Sequence, residues 1–165
     1  MAARIVSIVA ASSNSGKTTL IEKLVAILKG RGLRVAVIKH ASKGFDLDLT
    51  GKDSWRFQQA GADAVLLVGP DKIALMKRSE REPAPHELEQ LAGDVDIVIY
   101  EGFKKNAQNK IEVFREGVSG DRPLCLSDGS FQALVSDRPF DVPVPWFAIN
   151  DAEGVVAFIL SSPAE

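Results

Sequence analysis

Cysteine is nearly absent: Cys125 is the single one in 165 residues. One thiol makes no intramolecular disulfide, and a cysteine-built metal site is excluded with it. Flanked by Leu124 and Leu126, it reads as a small buried hydrophobe. Histidine is scarce too. His40 and His86 are far apart in the chain, and neither has the second histidine beside it that a zinc site would want. No apolar run approaches the length of a membrane span. The run Ile5 to Ala10 follows Arg4 much as a signal peptide begins, yet it is short and passes straight into a lysine-bearing loop that cleavage would destroy. The expected location is therefore the cytoplasm. The formal charge is only −2, with Lys and Arg dispersed, so neither a nucleic-acid nor a membrane surface is expected. Internal repeats and low-complexity segments are missing. What remains is 45% apolar and 25% charged residues, the balance of an ordinary globular chain. The length suits one domain over residues 1–165.

What is present starts early. An apolar run to Ala10 predicts a strand, and the amphipathic run Leu20 to Leu28 predicts a helix. Between them lies Ala11-Ser12-Ser13-Asn14-Ser15-Gly16-Lys17-Thr18-Thr19. This fits the phosphate-binding pattern G-x-x-x-x-G-K-[ST], with Ala11 where the first glycine belongs. The chemistry needs these residue types. Backbone N–H groups from Ser13 through Gly16 and on to Thr19 can form a nest for a polyphosphate, aided by the positive end of the helix. Lys17 can reach the β and γ phosphates, and the Thr18 hydroxyl can ligate Mg²⁺. Ala11 adds one methyl and must stay out of left-handed backbone.

Further along, Leu33 to Ile38 predicts a buried parallel strand, completing a βαβ unit. Lys52 to Ala60 predicts a helix and Ala64 to Val68 a strand, with Ile73 to Met76 as its hairpin partner. His86 to Leu91 predicts a short helix with Leu88 and Leu91 inward. Strands are expected at Ile97–Tyr100, Lys110–Arg115, Phe131–Val135 and Trp146–Ile149. In the Lys110 strand, Ile111 and Val113 alternate against Glu112 and Phe114. Asp151 is placed to cap a last helix ending at Leu160. The class is α/β: a three-layer P-loop NTPase with a mostly parallel central sheet and helices on both faces.

In such sheets ligands lie beyond the carboxyl ends of the strands. Lys39 and His40, Glu101 and Gly102, Ser136 and Asp137, and Asn150 each follow a strand. Asp96 and Glu101 compete for the Mg²⁺ or water-positioning role from opposite ends of one strand, about 16 Å apart. Glu101 is the choice if that strand runs parallel to the first. Gly102 would let the backbone pass close to a γ-phosphate. Asp137 can accept from both N1–H and N2–H₂ of guanine, or simply form a turn before Arg138-Pro139. His40 is a candidate ligand contact or a strand end. Asp46 and Asp48 are candidate Mg²⁺ helpers or loop acids.

Taken together, Ser13 to Ile21, Val37-Ile38-Lys39-His40 with Phe45 to Asp48, Gly51 to Ser54 with Ala60-Gly61-Ala62, and Val98 to Lys104 with Lys110 to Val113 resemble the molybdopterin-guanine dinucleotide biosynthesis protein B (MobB) family of P-loop GTP-binding proteins. The resemblance covers residues from about 5 to 137 in the family's order. It implies a fold similar to SIMIBI-class GTPases, GTP and Mg²⁺ as cofactors, weak hydrolysis and a homodimer. It implies a role assisting the MobA-like guanylyltransferase that attaches GMP to molybdopterin. By position, Gly16, Lys17 and Thr18 would hold phosphate and Mg²⁺, Glu101 and Gly102 would stand at the γ-phosphate, and Asp137 would match the guanine reader. The chain departs from the family pattern at Ala11. It also lacks a second histidine in Ala41-Ser42-Lys43, and Val135-Ser136-Asp137 lacks the usual Asn and Lys of the guanine signature. Two other readings compete. One is a small-molecule kinase using Lys77-Arg78-Ser79-Glu80-Arg81 as a lid, and the other is a binding module that keeps the fold without nucleotide.

Overall fold

The computed structural model describes residues 3–45, 48–103 and 107–162. Asp46 and Lys104, named above, lie outside them. The chain divides into two compact units, Met1–His40 with Leu88–Glu165, and Ala41–Glu87.

The first unit is built on a six-stranded sheet. Its strands are β1 (Arg4–Val9), β2 (Val35–Lys39), β5 (Ile97–Glu101), β6 (Lys110–Phe114), β7 (Phe131–Ser136) and β8 (Trp146–Ala148), ordered β2-β5-β1-β6-β7-β8. Every pairing in it is parallel. All six carboxyl ends therefore open onto one edge, the condition that brings loops distant in sequence together.

Helix α1 (Lys17–Gly30) buries Leu20, Ile21, Leu24 and Leu28. These share one stripe of a 3.6-residue helix. They pack with Val155, Val156 and Ile159 of α4 (Ala152–Ser161) against Val6, Ile8, Ile97, Ile99, Ile111 and Val113 of the sheet. Leu24 and Leu28 are fully enclosed, so truncating either to Ala should cost about 2–5 kcal/mol. Gly30 remains inside the helix, and Gly32 ends it. With Gly32 at φ +78°, its N–H bonds to the Lys29 carbonyl and that of Leu33 to the Leu28 carbonyl. That 5→2 and 6→1 pair is a Schellman stop. Asp151 caps α4 by accepting the Gly154 N–H at 2.9 Å.

The opposite face of the sheet carries a second core of Val9, Phe114, Cys125, Phe131 and Leu134, with Phe140, Val142 and Val144 packed on it. Here too Tyr100 donates its hydroxyl to Glu89 of α3 (Pro85–Ala92) at 2.9 Å.

Three expectations need correction. Leu91 is 67% exposed rather than inward. Glu112 and Phe114 do not alternate outward: β6 lies between β1 and β7, with both faces covered, and both side chains are fully buried. β2 is the edge strand of the sheet, so Val37 is 45% exposed and the strand is not doubly buried.

The second unit holds α2 (Asp53–Gln59) and an antiparallel hairpin of β3 (Ala64–Val68) and β4 (Ile73–Lys77). Its hairpin leaves Leu66, Leu67, Val68, Ile73 and Leu75 exposed. Phe57 is exposed as well.

Candidate functional site

The loop after β1 is held by its own side chains. Ser15 is fully buried, and its Oγ donates to the Ser12 carbonyl at 2.9 Å. The same carbonyl accepts Lys17 Nζ at 2.9 Å, so the lysine lies back across the loop. Ser12 Oγ donates to the Val118 carbonyl at 2.8 Å, tying the loop to the segment after β6. Ser13, Asn14, Thr18 and Thr19 are exposed. Asn14 (φ +61°) and Gly16 (φ +94°) take left-handed backbone, a local winding that turns successive N–H groups to one side. Ala11 is outside the left-handed region, so its methyl is tolerated. Helix α1 begins at Lys17, and a first turn has N–H groups that no intrahelical carbonyl can take. Its positive end favours an anion at the same place.

Which carboxylate faces this loop is decided by strand direction. β5 runs parallel to β1, with Arg4 beside Ile97 and Ile8 beside Glu101. Glu101 therefore ends at the loop. Its Oε1 accepts the Thr18 hydroxyl at 3.2 Å and faces Lys39 Nζ at 3.3 Å. Asp96 ends at the far edge, where Arg34 engages it through side chain and backbone N–H. The guanidinium holds the Asp96 carboxyl down at about 2.

Gly102 follows with φ +99°, and its N–H continues the ladder to the Ile8 carbonyl. A Cβ there would stand 3.3 Å from Cβ of His40. His40 donates its backbone N–H to the Glu101 carbonyl, and its ring lies 4.8 Å from that of Phe103. The role of His40 at the backbone is thus to lock the ends of β2 and β5 together.

Asp137 leaves β7 at the same edge. Both of its oxygens accept the Glu116 N–H, at 3.2 and 3.1 Å. Arg138 beside it pairs with Glu116 and lies 4.2 Å over the Phe140 ring. A carboxylate has about four acceptor positions, so one N–H leaves capacity for further donors. Asp48, in the second unit, accepts the Leu49 N–H.

The donor set fits a hard cation. One hydroxyl and one carboxylate meet at 3.2 Å. Mg²⁺ is commonly held by one or two carboxylates together with phosphate oxygens and water. Among the described residues no cluster of three or more His, Cys, Asp or Glu exists to cage a metal without phosphate.

The sequence reading brought Lys17, Thr18, Glu101, Gly102 and His40 to one edge, and the structure assembles them there. It did not assign Lys39 or Ser12. The signal for Lys39 was its place at the carboxyl end of a parallel strand.

The comparisons with known proteins agree with this geometry. Residues 5–137 match the family model described as "Molybdopterin guanine dinucleotide synthesis protein B". The chain belongs to that family. An Escherichia coli relative, a molybdopterin-guanine dinucleotide biosynthesis adapter protein, is 38% identical over 157 residues, covering 92% of this chain and 89% of its own. The Haemophilus influenzae protein of the same name is 36% identical over 152 residues, 89% and 83% of the two chains. The crystal structure of Bacillus subtilis MobB superposes with a TM-score of 0.74 at 26% identity, covering 96% of both chains. This MobB-family chain therefore has the P-loop fold expected from its sequence. Among the described residues no helix is long and apolar enough to cross a membrane.

Proposed function

We propose that this MobB-family chain is a GTP-binding adaptor that assists guanylation of molybdopterin, acting in the cytoplasm as a single nucleotide-binding domain over residues 1–165. One observation carries the nucleotide reading: the Thr18 hydroxyl at the start of α1 meets the Glu101 carboxylate at 3.2 Å beside the Lys17 loop. In this reading the loop N–H groups of Ser13 through Thr19 and the Lys17 ammonium bind the polyphosphate. Thr18 and Glu101 hold Mg²⁺, which supplies charge neutralisation of the phosphates. Glu101 is also the residue to position water, and hydrolysis is expected to be weak because the loop itself, residues 11–19, carries no arginine or glutamine. Gly102 and His40 shape the γ-phosphate end, and Asp137 reads guanine. The names of the relatives support the adaptor role; the partner proposed for it is a molybdopterin guanylyltransferase.

Calorimetric titration with Mg²⁺·GTP and Mg²⁺·ATP tests it. GTP should bind more tightly than ATP, and Lys17→Ala should abolish binding. Equal affinity for the two would remove Asp137 as reader, and no binding of either would remove the nucleotide role. The kinase alternative would be favoured instead by phosphoryl transfer to an added acceptor.

A homodimer is part of the same reading. A two-stranded sheet is marginal alone in water, and this one exposes Leu66, Val68, Ile73 and Leu75. Sedimentation should show a dimer that Val68→Lys weakens.

A further inference from the structure

Lys39 ends β2 and lies in register beside Glu101 at the end of β5. Its Nζ stands 3.3 Å from Glu101 Oε1, the oxygen that also accepts the Thr18 hydroxyl. The two partners differ in surroundings: the lysine side chain is 60% exposed, the glutamate 11%. An ammonium thus reaches in from solvent to a nearly covered carboxylate. So exposed a lysine gains little stability from such a pair. Its stem has four rotatable carbons and three donors, and can re-aim without moving the backbone. The strand end fixes its base beside the residues that would meet a cation and a polyphosphate. Lys17, by contrast, springs from the helix and lies along the loop. Two ammonium groups therefore approach one small region from different elements, and only one of them belongs to the phosphate-loop pattern.

We propose that Lys39 is a specificity residue that distinguishes a nucleoside triphosphate from a diphosphate. This rests on the nucleotide reading of the site. In the state described here Lys39 neutralises Glu101. When Glu101 is engaged by a divalent cation, its oxygen is taken by the harder and more highly charged ion. Lys39 would then be free to turn its ammonium to the γ-phosphate of a triphosphate. A diphosphate has no γ-phosphate, so Lys39 would discriminate by contacting one ligand and not the other.

The test is calorimetry on the full chain with Mg²⁺·GTP and Mg²⁺·GDP, comparing wild type, Lys39→Met and Lys39→Arg. Wild type should prefer GTP. Lys39→Met should lose about tenfold in GTP affinity while GDP changes by less than about twofold, the scale of one charge-assisted hydrogen bond. Lys39→Arg should keep most of the preference. The proposal is overturned if Lys39→Met leaves the GTP-to-GDP ratio as in wild type, or weakens both ligands together. Lys39→Gln serves the same comparison should the methionine variant not fold. A wild-type chain that binds neither nucleotide would overturn the nucleotide reading itself, and this proposal with it. A changed variant beside a binding wild type isolates Lys39.

Discussion

Gly102 offers the sharpest quantitative test of the site's construction. Consider Gly102→Ala. The residue holds φ +99°, and forcing an L-residue into left-handed backbone costs about 1–2 kcal/mol. The new Cβ would also stand 3.3 Å from His40 Cβ and 3.7 Å from the His40 carbonyl oxygen. His40 cannot retreat freely, because its N–H is bonded to the Glu101 carbonyl at 3.0 Å. Overpacking of this kind adds roughly 1–2 kcal/mol, for a total of about 2–4 kcal/mol. A domain stable by about 5–15 kcal/mol would still fold. The contact is with a Cβ, and this separates the two costs. His40→Ala keeps the Cβ and should give no relief. His40→Gly removes it and should recover about 1 kcal/mol in a double-mutant cycle with Gly102→Ala. Urea denaturation of the single and double variants measures both. A loss below about 0.5 kcal/mol for Gly102→Ala, or equal coupling in the alanine and glycine cycles, would refute the argument.

Three other outcomes follow from the structure. Glu112 is fully buried and accepts the N–H groups of Leu124 and Cys125 at 2.7 and 2.9 Å, so Glu112→Ala should cost about 3–5 kcal/mol in chemical denaturation and speed hydrogen exchange at those two amides. Burial, and then the neighbouring Glu112 charge, push the Cys125 thiol up to about 12. The native protein should therefore not react with a disulfide reagent at pH 8, and should do so once unfolded. The Asp96 carboxyl falls from 3.8 to about 2 on folding, chiefly through the Arg34 side chain. The unfolded chain then takes up the proton first as acid is added. The contribution is complete above about pH 4 and fades toward pH 2. Asp96→Asn should flatten the acid limb of the stability curve in that window and leave its neutral part with the same slope.

Much of the candidate site is legible in the amino-acid sequence. The loop from Ala11 to Thr19 follows local rules, because a strand, a glycine turn and an amphipathic helix each leave a short-range pattern. The choice of Glu101 over Asp96 followed once strand direction was supposed. Lys39 was seen at its strand end, but its pairing with Glu101 depends on β2 and β5 being neighbours, and they are nearly sixty residues apart in the chain. Leu91 was misread because a helical period says which residues share a face, not whether anything covers it. Glu112 was misread for a related reason. Alternation along β6 suggested a wet face, whereas the sheet and the 3₁₀ turn Leu124–Leu126 enclose it and supply two N–H donors.

Residue types and their spacing thus determined the elements, the phosphate loop and the family. Those depend on steric and hydrogen-bonding preferences that reach only a few residues along the chain. The tertiary structure decided the strand order, which strand became an edge, and which carboxylate received the Thr18 hydroxyl. Those depend on contacts between residues far apart in sequence. Their energies exist only once the sheet has closed.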